Sequence, residues 1–266
     1  MSERKIFAQL PPGRRVWAVA SIHGEVARLA KLHALLWTKV APGDRLVYLG
    51  NVLGHGPDVA GTVDELLSFR RAFMAMAPDE RHHVAILRGS QEEMWHKLLQ
   101  LQFATDPRGV LNWMLDNGLA ATLTAYGSSA KDAVSQASSG AVGLTRWTQS
   151  LRKSIQARRG HYDFFGAIRR AAFMDEGKVL FVNAGLDPTR PLDNQKDSFW
   201  WNSGSFSRIS EPFGPYQRIV RGADPSRPGL RETAVTVTLD NGCGFGGSLL
   251  AGCFSPDGVL LECLEA

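Results

Sequence analysis

The chain has 266 residues, 44% of them hydrophobic and 21% charged, a composition that can bury the core of one large α/β domain. No stretch approaches the roughly 18 apolar residues of a membrane span, and the apolar run near the N-terminus is too short for a signal peptide, so we predict a cytoplasmic protein. The formal charge of +4 comes from scattered Lys and Arg and gives no specific nucleic-acid signal, and three cysteines without CxxC spacing indicate neither a disulfide framework nor a zinc site.

Three strand-loop-helix units begin the chain. Apolar runs at 15–20, 46–50 and 83–89 predict strands, and each is followed by a loop and by apolar residues at helical spacing. Consecutive units of this kind favour a parallel sheet with its functional loops at the carboxyl ends of the strands. Residues 1–13 are predicted to form an N-terminal extension, and 14–266 a single domain.

The middle of the chain changes character. Residues 105–170 combine amphipathic segments with a Ser/Ala-rich stretch, which predicts a helical insertion or cap with a mobile loop near 128–143. Strand character returns at 178–185, 216–222, 233–242, 247–254 and 258–265. Turn residues separate the last three segments, and this pattern predicts an antiparallel meander that closes a second sheet.

Glycine recurs where the predicted strands end. Because parallel strands deliver their following loops to one edge of a sheet, these glycine-containing loops favour a shared cleft. The positions are His23-Gly24, Gly50-Asn51, Gly89-Ser90, Gly185 and Gly222.

The order and spacing of these loops resemble the calcineurin-like metallophosphoesterases, and more narrowly their bacterial serine/threonine phosphoprotein phosphatase and symmetrical diadenosine tetraphosphatase branch. That family has GDxHG, GDxxDRG, GNHE, VHAG and GHTP where this chain has ASIHG at 20–24, GNVLGHG at 50–56, GSQE at 89–92, VNAG at 182–185 and GADP at 222–225. The resemblance implies a four-layer αββα sandwich of two mixed sheets flanked by helices, with a helical insertion.

The resemblance also implies which positions would carry chemistry. In the family, two divalent metals polarise a bridging water that attacks phosphorus, so the site needs anionic oxygen ligands and imidazoles. His23 keeps the expected residue type, whereas the other metal-ligand positions hold Ser21, Asn51, Ser90, Asn183 and Ala223. The general-acid position holds Gln91, the orienting aspartate is Gly54, and the two phosphate-binding arginines are His55 and Ser203.

These replacements lead to the hypothesis of a pseudophosphatase with no catalytic residue and no metal. Neutral side chains avoid the uncompensated charge that carboxylates would leave in a cleft without metal. We expect such a protein to bind a protein partner or ligand in a regulatory or scaffolding role, as a homodimer or as a heterodimer with an active paralogue. Residual binding in the cleft would use His23, Asn51, His55, Gln91, Asn183 and Arg221.

Two alternatives stay open at this point. One is a metal-dependent phosphoesterase, acting on phosphoproteins or nucleotides, with a reorganised site that holds one weakly bound divalent metal such as Mn. The other is a nucleotide or phosphate sensor that binds without hydrolysis. If the cleft binds neither metal nor ligand, we expect His23 and His55 to be loop histidines that form hydrogen bonds within the protein.

Residues beside these loops receive structural predictions. Ser90 and Glu93 have the Ser-x-x-Glu spacing of a helix capping box. Trp200-Trp201 is predicted to be buried core, His82-His83 to lie on the surface, and Arg221 to be solvated or ion-paired.

Overall fold

The computed structural model describes residues 6–76, 84–174 and 178–266, so the predicted surface pair His82-His83 lies outside the described residues. The strands are β1 Ala8–Leu10, β2 Val16–Val19, β3 Arg45–Tyr48, β4 Val84–Ile86, β5 Ala172–Met174, β6 Val179–Val182, β7 Arg218–Arg221, β8 Gly229–Glu232, β9 Thr236–Asp240, β10 Leu250–Phe254 and β11 Leu260–Glu265. The helices are α1 Val26–Trp37, α2 Val59–Ala75, α3 Ser90–Leu98, α4 Pro107–Asp116, α5 Leu119–Ala125, α6 Ala130–Ala137, α7 Gly140–Ala157, α8 His161–Ala167, α9 Ser198–Trp201 and α10 Ser203–Phe206.

The strands form two mixed sheets flanked by helices, as the sequence predicts. The five-stranded sheet has the order β11-β10-β2-β3-β4, with β2, β3 and β4 parallel and β10 antiparallel to both of its neighbours. The six-stranded sheet has the order β1-β5-β6-β7-β9-β8, with β6, β7 and β9 parallel. Phe181 of β6 and Phe254 of β10 meet edge to face, with their ring centroids 5.9 Å apart, where the sheets pack together.

Continuous apolar runs explain why the central strands are buried. Every residue of β2, β3 and β6 is buried, which is typical of parallel strands covered on both faces. Helix α1 presents Leu29, Leu32 and Leu36 to the core at helical spacing. No helix among the described residues is long and apolar enough to cross a membrane.

Three predictions about the chain's organisation are wrong. Residues of the predicted N-terminal extension form β1, which pairs in parallel with β5 at the edge of the six-stranded sheet. The segment predicted as a loop near 128–143 is occupied by α6 and the start of α7. Ser129 caps α6 by accepting a hydrogen bond from the Asp132 backbone N–H, so the polar residues at the start of this segment begin a helix. The predicted meander is divided, because β9 lies in one sheet while β10 and β11 lie in the other.

The helical insertion is attached to α2 through a buried polar chain. The Tyr126 hydroxyl lies 2.9 Å from Nδ1 of His161, and Nε2 of His161 lies 3.0 Å from Oδ1 of Asp64 on α2. His161 is fully buried. Buried polar groups need hydrogen-bond partners, so this series of three hydrogen-bonded side chains fixes the position of α8 against α2.

Candidate functional site

The loops that follow β2, β3, β4, β6 and β7 meet in one cleft of about 390 Å³. Backbone hydrogen bonds tie these loops together: Ser21 donates to Gly222, Gly222 to Asn183, and His23 to Asn51. Most of the sequence-predicted site residues line the cleft, namely His23, Asn51, His55, Ser90, Gln91, Asn183, Ser203 and Ala223. Parallel strands deliver their loops to one edge, as the glycine pattern predicts.

Asn51 is the centre of a hydrogen-bond network of neutral side chains. Its Nδ2 donates to Oγ of Ser21 at 3.2 Å, and its Oδ1 accepts from Oγ of Ser90 at 3.2 Å and from the backbone N–H of Gln91 at 3.1 Å. Asn51 has a φ of 51°, a left-handed conformation that asparagine tolerates better than most residues. The side chains at three of the implied ligand positions therefore bond to one another.

Glu92 joins the second and third loops from beneath the cleft. Its carboxylate accepts hydrogen bonds from the backbone N–H groups of Gly89 at 2.7 Å, Asn51 at 2.8 Å and Leu53 at 3.0 Å. Burial raises the pKa of Glu92, and these three hydrogen bonds oppose that increase. All three donors point at the carboxylate, so Glu92 acts as a clamp between the loops.

The predicted capping box is wrong by one residue. Helix α3 has Gly89 at its N-cap position, Ser90 is the first helical residue, and Glu92 accepts the hydrogen bond from the Gly89 N–H. Glu93 instead pairs with Arg88 at 2.8 Å and with Lys97 at 3.5 Å. Glycine can hold the N-cap here because Oδ1 of Asn51 accepts the backbone N–H of Gln91, the second helical residue, which an N-cap side chain would otherwise satisfy.

Gln91 fills the space where the general acid of the family would act. Its Nε2 donates to the Asn117 carbonyl at 2.8 Å and lies 3.4 Å from Nε2 of His55. Gly54 lies directly below, with a φ of +95°, and a β-carbon there would come within 2.5 Å of the Gln91 side chain. A larger residue at Gly54 is therefore incompatible with this position of Gln91.

His23 and His55 form an aromatic cluster at the cleft wall. Their ring centroids are 5.2 Å apart. Burial, together with the nearby His55 and Arg227, lowers the pKa of His23 to about 3, and a hydrogen bond to the Leu53 backbone opposes this decrease. Burial and Arg227 also lower the pKa of His55. Both imidazoles are therefore neutral at neutral pH, and Nδ1 of His23 has no hydrogen-bond partner among the described residues.

The remaining predicted residues divide between the cleft and the protein interior. Nδ2 of Asn183 donates to the Leu49 carbonyl at 2.7 Å, which orients the amide. Arg221 does not line the cleft, so the prediction that it could bind a ligand there is wrong. Its buried guanidinium donates to Oγ1 of Thr238 at 2.9 Å and pairs with Asp224, which confirms the alternative prediction of an ion-paired arginine.

Among the cleft residues that sequence reasoning missed, Arg227 and Phe245 form a stacked pair. The Arg227 guanidinium lies over the Phe245 ring, 3.4 Å from its centroid, and Phe245 packs against His55 with centroids 4.4 Å apart. Phe245 is an exposed aromatic residue within the glycine-rich segment 242–247, and that combination was the available signal. The Arg227 side chain makes no hydrogen bond or ion pair among the described residues.

Of the two adjacent tryptophans predicted to be buried, Trp200 is buried and Trp201 is exposed. Trp200 is 3% exposed and packs near Phe199, whereas Trp201 is 42% exposed and contacts Trp113, with ring centroids 5.4 Å apart. Trp201 also lines the cleft. Adjacent residues in a short helix point in different directions, so one indole enters the core and the other faces the opening.

The donor set does not fit a dinuclear metal centre. The divalent cations that promote hydrolysis of phosphate esters need anionic oxygen ligands. The oxygens of Glu92 hold three backbone N–H groups, and Asp240 accepts from the backbone N–H groups of Asp224 at 2.7 Å and Gly242 at 2.9 Å. Within the described ranges, no group of three or more His, Cys, Asp or Glu side chains could hold a metal ion. The expectation of a metal-free protein stays a prediction.

The chain shares its fold of two mixed sheets with solved structures, and this is the fold that the resemblance to the calcineurin-like metallophosphoesterases implies. The chain is similar to a protein described as a candidate diadenosine tetraphosphatase, with a TM-score of 0.58 and 21% identity over 98% of this chain and 97% of the other. It is also similar to a serine/threonine phosphatase from Saccharomyces cerevisiae that resembles human phosphatase PP5, with a TM-score of 0.54 and 13% identity over 98% and 84% of the two chains. No protein-family model and no curated protein matches the chain. At these identities the similarity shows the fold alone.

Proposed function

We propose that this chain is a pseudophosphatase, a protein with the metallophosphoesterase fold that binds a protein partner or ligand in a regulatory or scaffolding role and does not hydrolyse phosphate esters. The observation that carries the proposal is the network around Asn51, in which the residues at three implied ligand positions satisfy one another. Neutral groups that already hold hydrogen bonds to each other are poor ligands for two divalent cations.

The proton-transfer groups of the family's reaction are also missing. Gln91 has no pKa that allows it to protonate a leaving group, and its amide is held by the Asn117 carbonyl. His55 has a lowered pKa and would be neutral at neutral pH. General acid catalysis at this cleft would therefore need a group from outside the implied constellation.

Metal analysis and activity assays test the proposal together. We expect purified protein to hold less than stoichiometric divalent metal and to show no turnover of p-nitrophenyl phosphate or diadenosine tetraphosphate in added manganese. His96→Ala, at an exposed position on α3, is the matched control for His23→Ala. Stoichiometric metal, together with turnover that is lost in His23→Ala and kept in His96→Ala, would overturn the proposal in favour of a reorganised metal-dependent phosphoesterase.

A second candidate function, binding of a phosphate or nucleotide without hydrolysis, is favoured by Arg227. A guanidinium held over an aromatic ring keeps its N–H edge available for an anion. This function predicts that ATP raises the melting temperature in the presence of EDTA, because a ligand of the native state stabilises it. The shift should disappear in Arg227→Gln and remain in Arg231→Gln, an exposed arginine on β8. Equal shifts in both variants would exclude Arg227 as the anion-binding group.

A further inference from the structure

A second cavity lies on the other face of helix α3. Gln91 and Met94 face the cleft, whereas Trp95 and His96 face this second cavity, as the helical spacing requires. It has a volume of about 380 Å³ and is enclosed by α3, α7 and α8. We call it the rear pocket, and the residues that matter here are Arg88, Trp95, His96, Arg152, Tyr162 and Phe165.

Two arginines, Arg88 and Arg152, lie in the wall of the rear pocket. Nη2 of Arg152 donates to the Leu99 carbonyl at 2.8 Å, and no carboxylate pairs with this guanidinium in the part of the chain that the structure describes. Arg88 is already paired with Glu93. The indole N–H of Trp95 is buried and has no acceptor among the described residues. The wall also includes Gln156 and Tyr162, whose oxygens can accept as well as donate, so the guanidinium of Arg152, with no carboxylate partner among the described residues, is the group that distinguishes the pocket.

Cationic side chains outnumber carboxylates around His96 at the rear pocket. Burial lowers the pKa of His96, and the nearby cations Arg88, Lys97 and Arg152 lower it further against the opposing effect of Glu93. The carboxylate of Glu92 reaches this wall too, but its oxygens are occupied by three backbone N–H groups. The pocket therefore has a free cation and no free carboxylate in its described wall.

The rest of the wall is apolar and aromatic. Leu99, Ile155, Phe165 and Ile168 contribute hydrocarbon surface, and Tyr162 is 63% exposed at the pocket. Pockets for small molecules usually have this composition, with a few polar groups that fix orientation, and volumes that begin at about 300 Å³. The volume here suits a ligand of one or two fused rings.

We propose that the rear pocket binds a small organic monoanion, a carboxylate carried on an apolar or aromatic body, with Arg152 as the residue that pairs with the carboxylate. The ring system would lie between Phe165 and the aliphatic wall, and the carboxylate would pair with the guanidinium of Arg152, which has no carboxylate partner among the described residues. This site is separate from the cleft, so the inference does not depend on the pseudophosphatase proposal.

Isothermal titration calorimetry of the full chain with 1-naphthoate tests the inference, and the neutral isostere 1-naphthalenemethanol separates charge from ring binding. We expect saturable binding of one naphthoate, with weaker binding of the alcohol. Arg152→Gln should weaken naphthoate binding by roughly tenfold or more, because it removes a charge-assisted hydrogen bond, and should leave the alcohol nearly unchanged. Arg146→Gln, at an exposed position on the same helix, should change neither.

A second variant protects the test against misfolding of the first. A β-carbon added at Gly166 on α8 meets no atom within 4 Å, so Gly166→Phe can be accommodated while its ring takes up space in the pocket. This variant should abolish binding of both ligands and keep the wild-type melting temperature. The inference is overturned if wild-type protein binds no naphthoate at millimolar concentration. It is equally overturned if neither variant weakens binding, or if Arg227→Gln in the cleft weakens it instead.

Discussion

Replacing Glu92 with glutamine would measure how strongly the loops of the cleft depend on one buried side chain. The structure gives Oε2 two donors, the N–H groups of Gly89 and Asn51, and gives Oε1 one donor, that of Leu53. Glutamine has one oxygen, so in Glu92→Gln the amide NH₂ would face the Leu53 N–H and leave a buried donor unpaired. An unpaired buried donor costs about 1–3 kcal/mol, and the two remaining bonds lose their ionic character.

An opposing effect limits this loss. Burial disfavours the charged carboxylate and raises the pKa of Glu92, so a neutral amide avoids part of the desolvation cost. We therefore expect Glu92→Gln to lower the free energy of unfolding by about 1–3 kcal/mol, which corresponds to roughly 2–4 °C in melting temperature per kcal/mol.

Urea unfolding and amide hydrogen exchange would measure this effect. Glu262→Gln is the matched control, because Glu262 forms an exposed ion pair with Lys39 and such pairs contribute about 0–1 kcal/mol. Exchange should accelerate at Asn51 and Leu53 in Glu92→Gln and remain unchanged in the control. If both variants lose the same stability and exchange at 51–53 is unaltered, Glu92 is not a clamp.

Two further predictions concern acidity and backbone conformation. Burial lowers the pKa of His33 below its usual 6.5, although a hydrogen bond to Glu65 opposes the effect. As the pH falls, the unfolded chain therefore binds the His33 proton before the folded protein does. The contribution of neutral His33 to the free energy of unfolding is complete above pH 6.5 and falls at lower pH. In His33→Asn, the decrease in the free energy of unfolding between about pH 7 and about pH 5, measured by urea unfolding, should be smaller than in the wild type. Gly54→Ala should cost about 3 kcal/mol or more, because φ is +95° and the new β-carbon meets Gln91 at 2.5 Å. In Gly13→Ala, where φ is +76° and no atom lies within 4 Å, the cost should be about 1–2 kcal/mol; equal losses would contradict the packing argument.

Local sequence patterns predicted the elements that bury continuous apolar runs. The strands at 16–19, 45–48 and 84–86 and the helices after them follow from hydrophobic periodicity. Short strands were missed, because three residues such as Ala8–Leu10 carry too little pattern to identify. Sheet membership was also missed for β9 and β10, since pairing partners depend on tertiary packing and not on the turn that separates two strands.

The candidate site was predictable where the resemblance fixed a loop position. His23, Asn51 and Gln91 meet in the cleft because they follow β2, β3 and β4, the three parallel strands of the five-stranded mixed sheet. The stacking of Arg227 on Phe245 could not be predicted, because it joins two loops with no shared periodicity. Arg221 failed as a cleft residue because its side chain enters the core, where Thr238 and Asp224 satisfy it.

The neighbours of β2 have a consequence for synthesis of the chain. β2 is fully buried and pairs with β3 on one side and with β10, more than two hundred residues later, on the other. Until β10 has been synthesised, we expect this edge of β2 to expose unpaired backbone N–H and C=O groups that can pair with other chains. We therefore expect β10 to add late to this edge, and a chaperone that shields the edge to raise the yield of folded product.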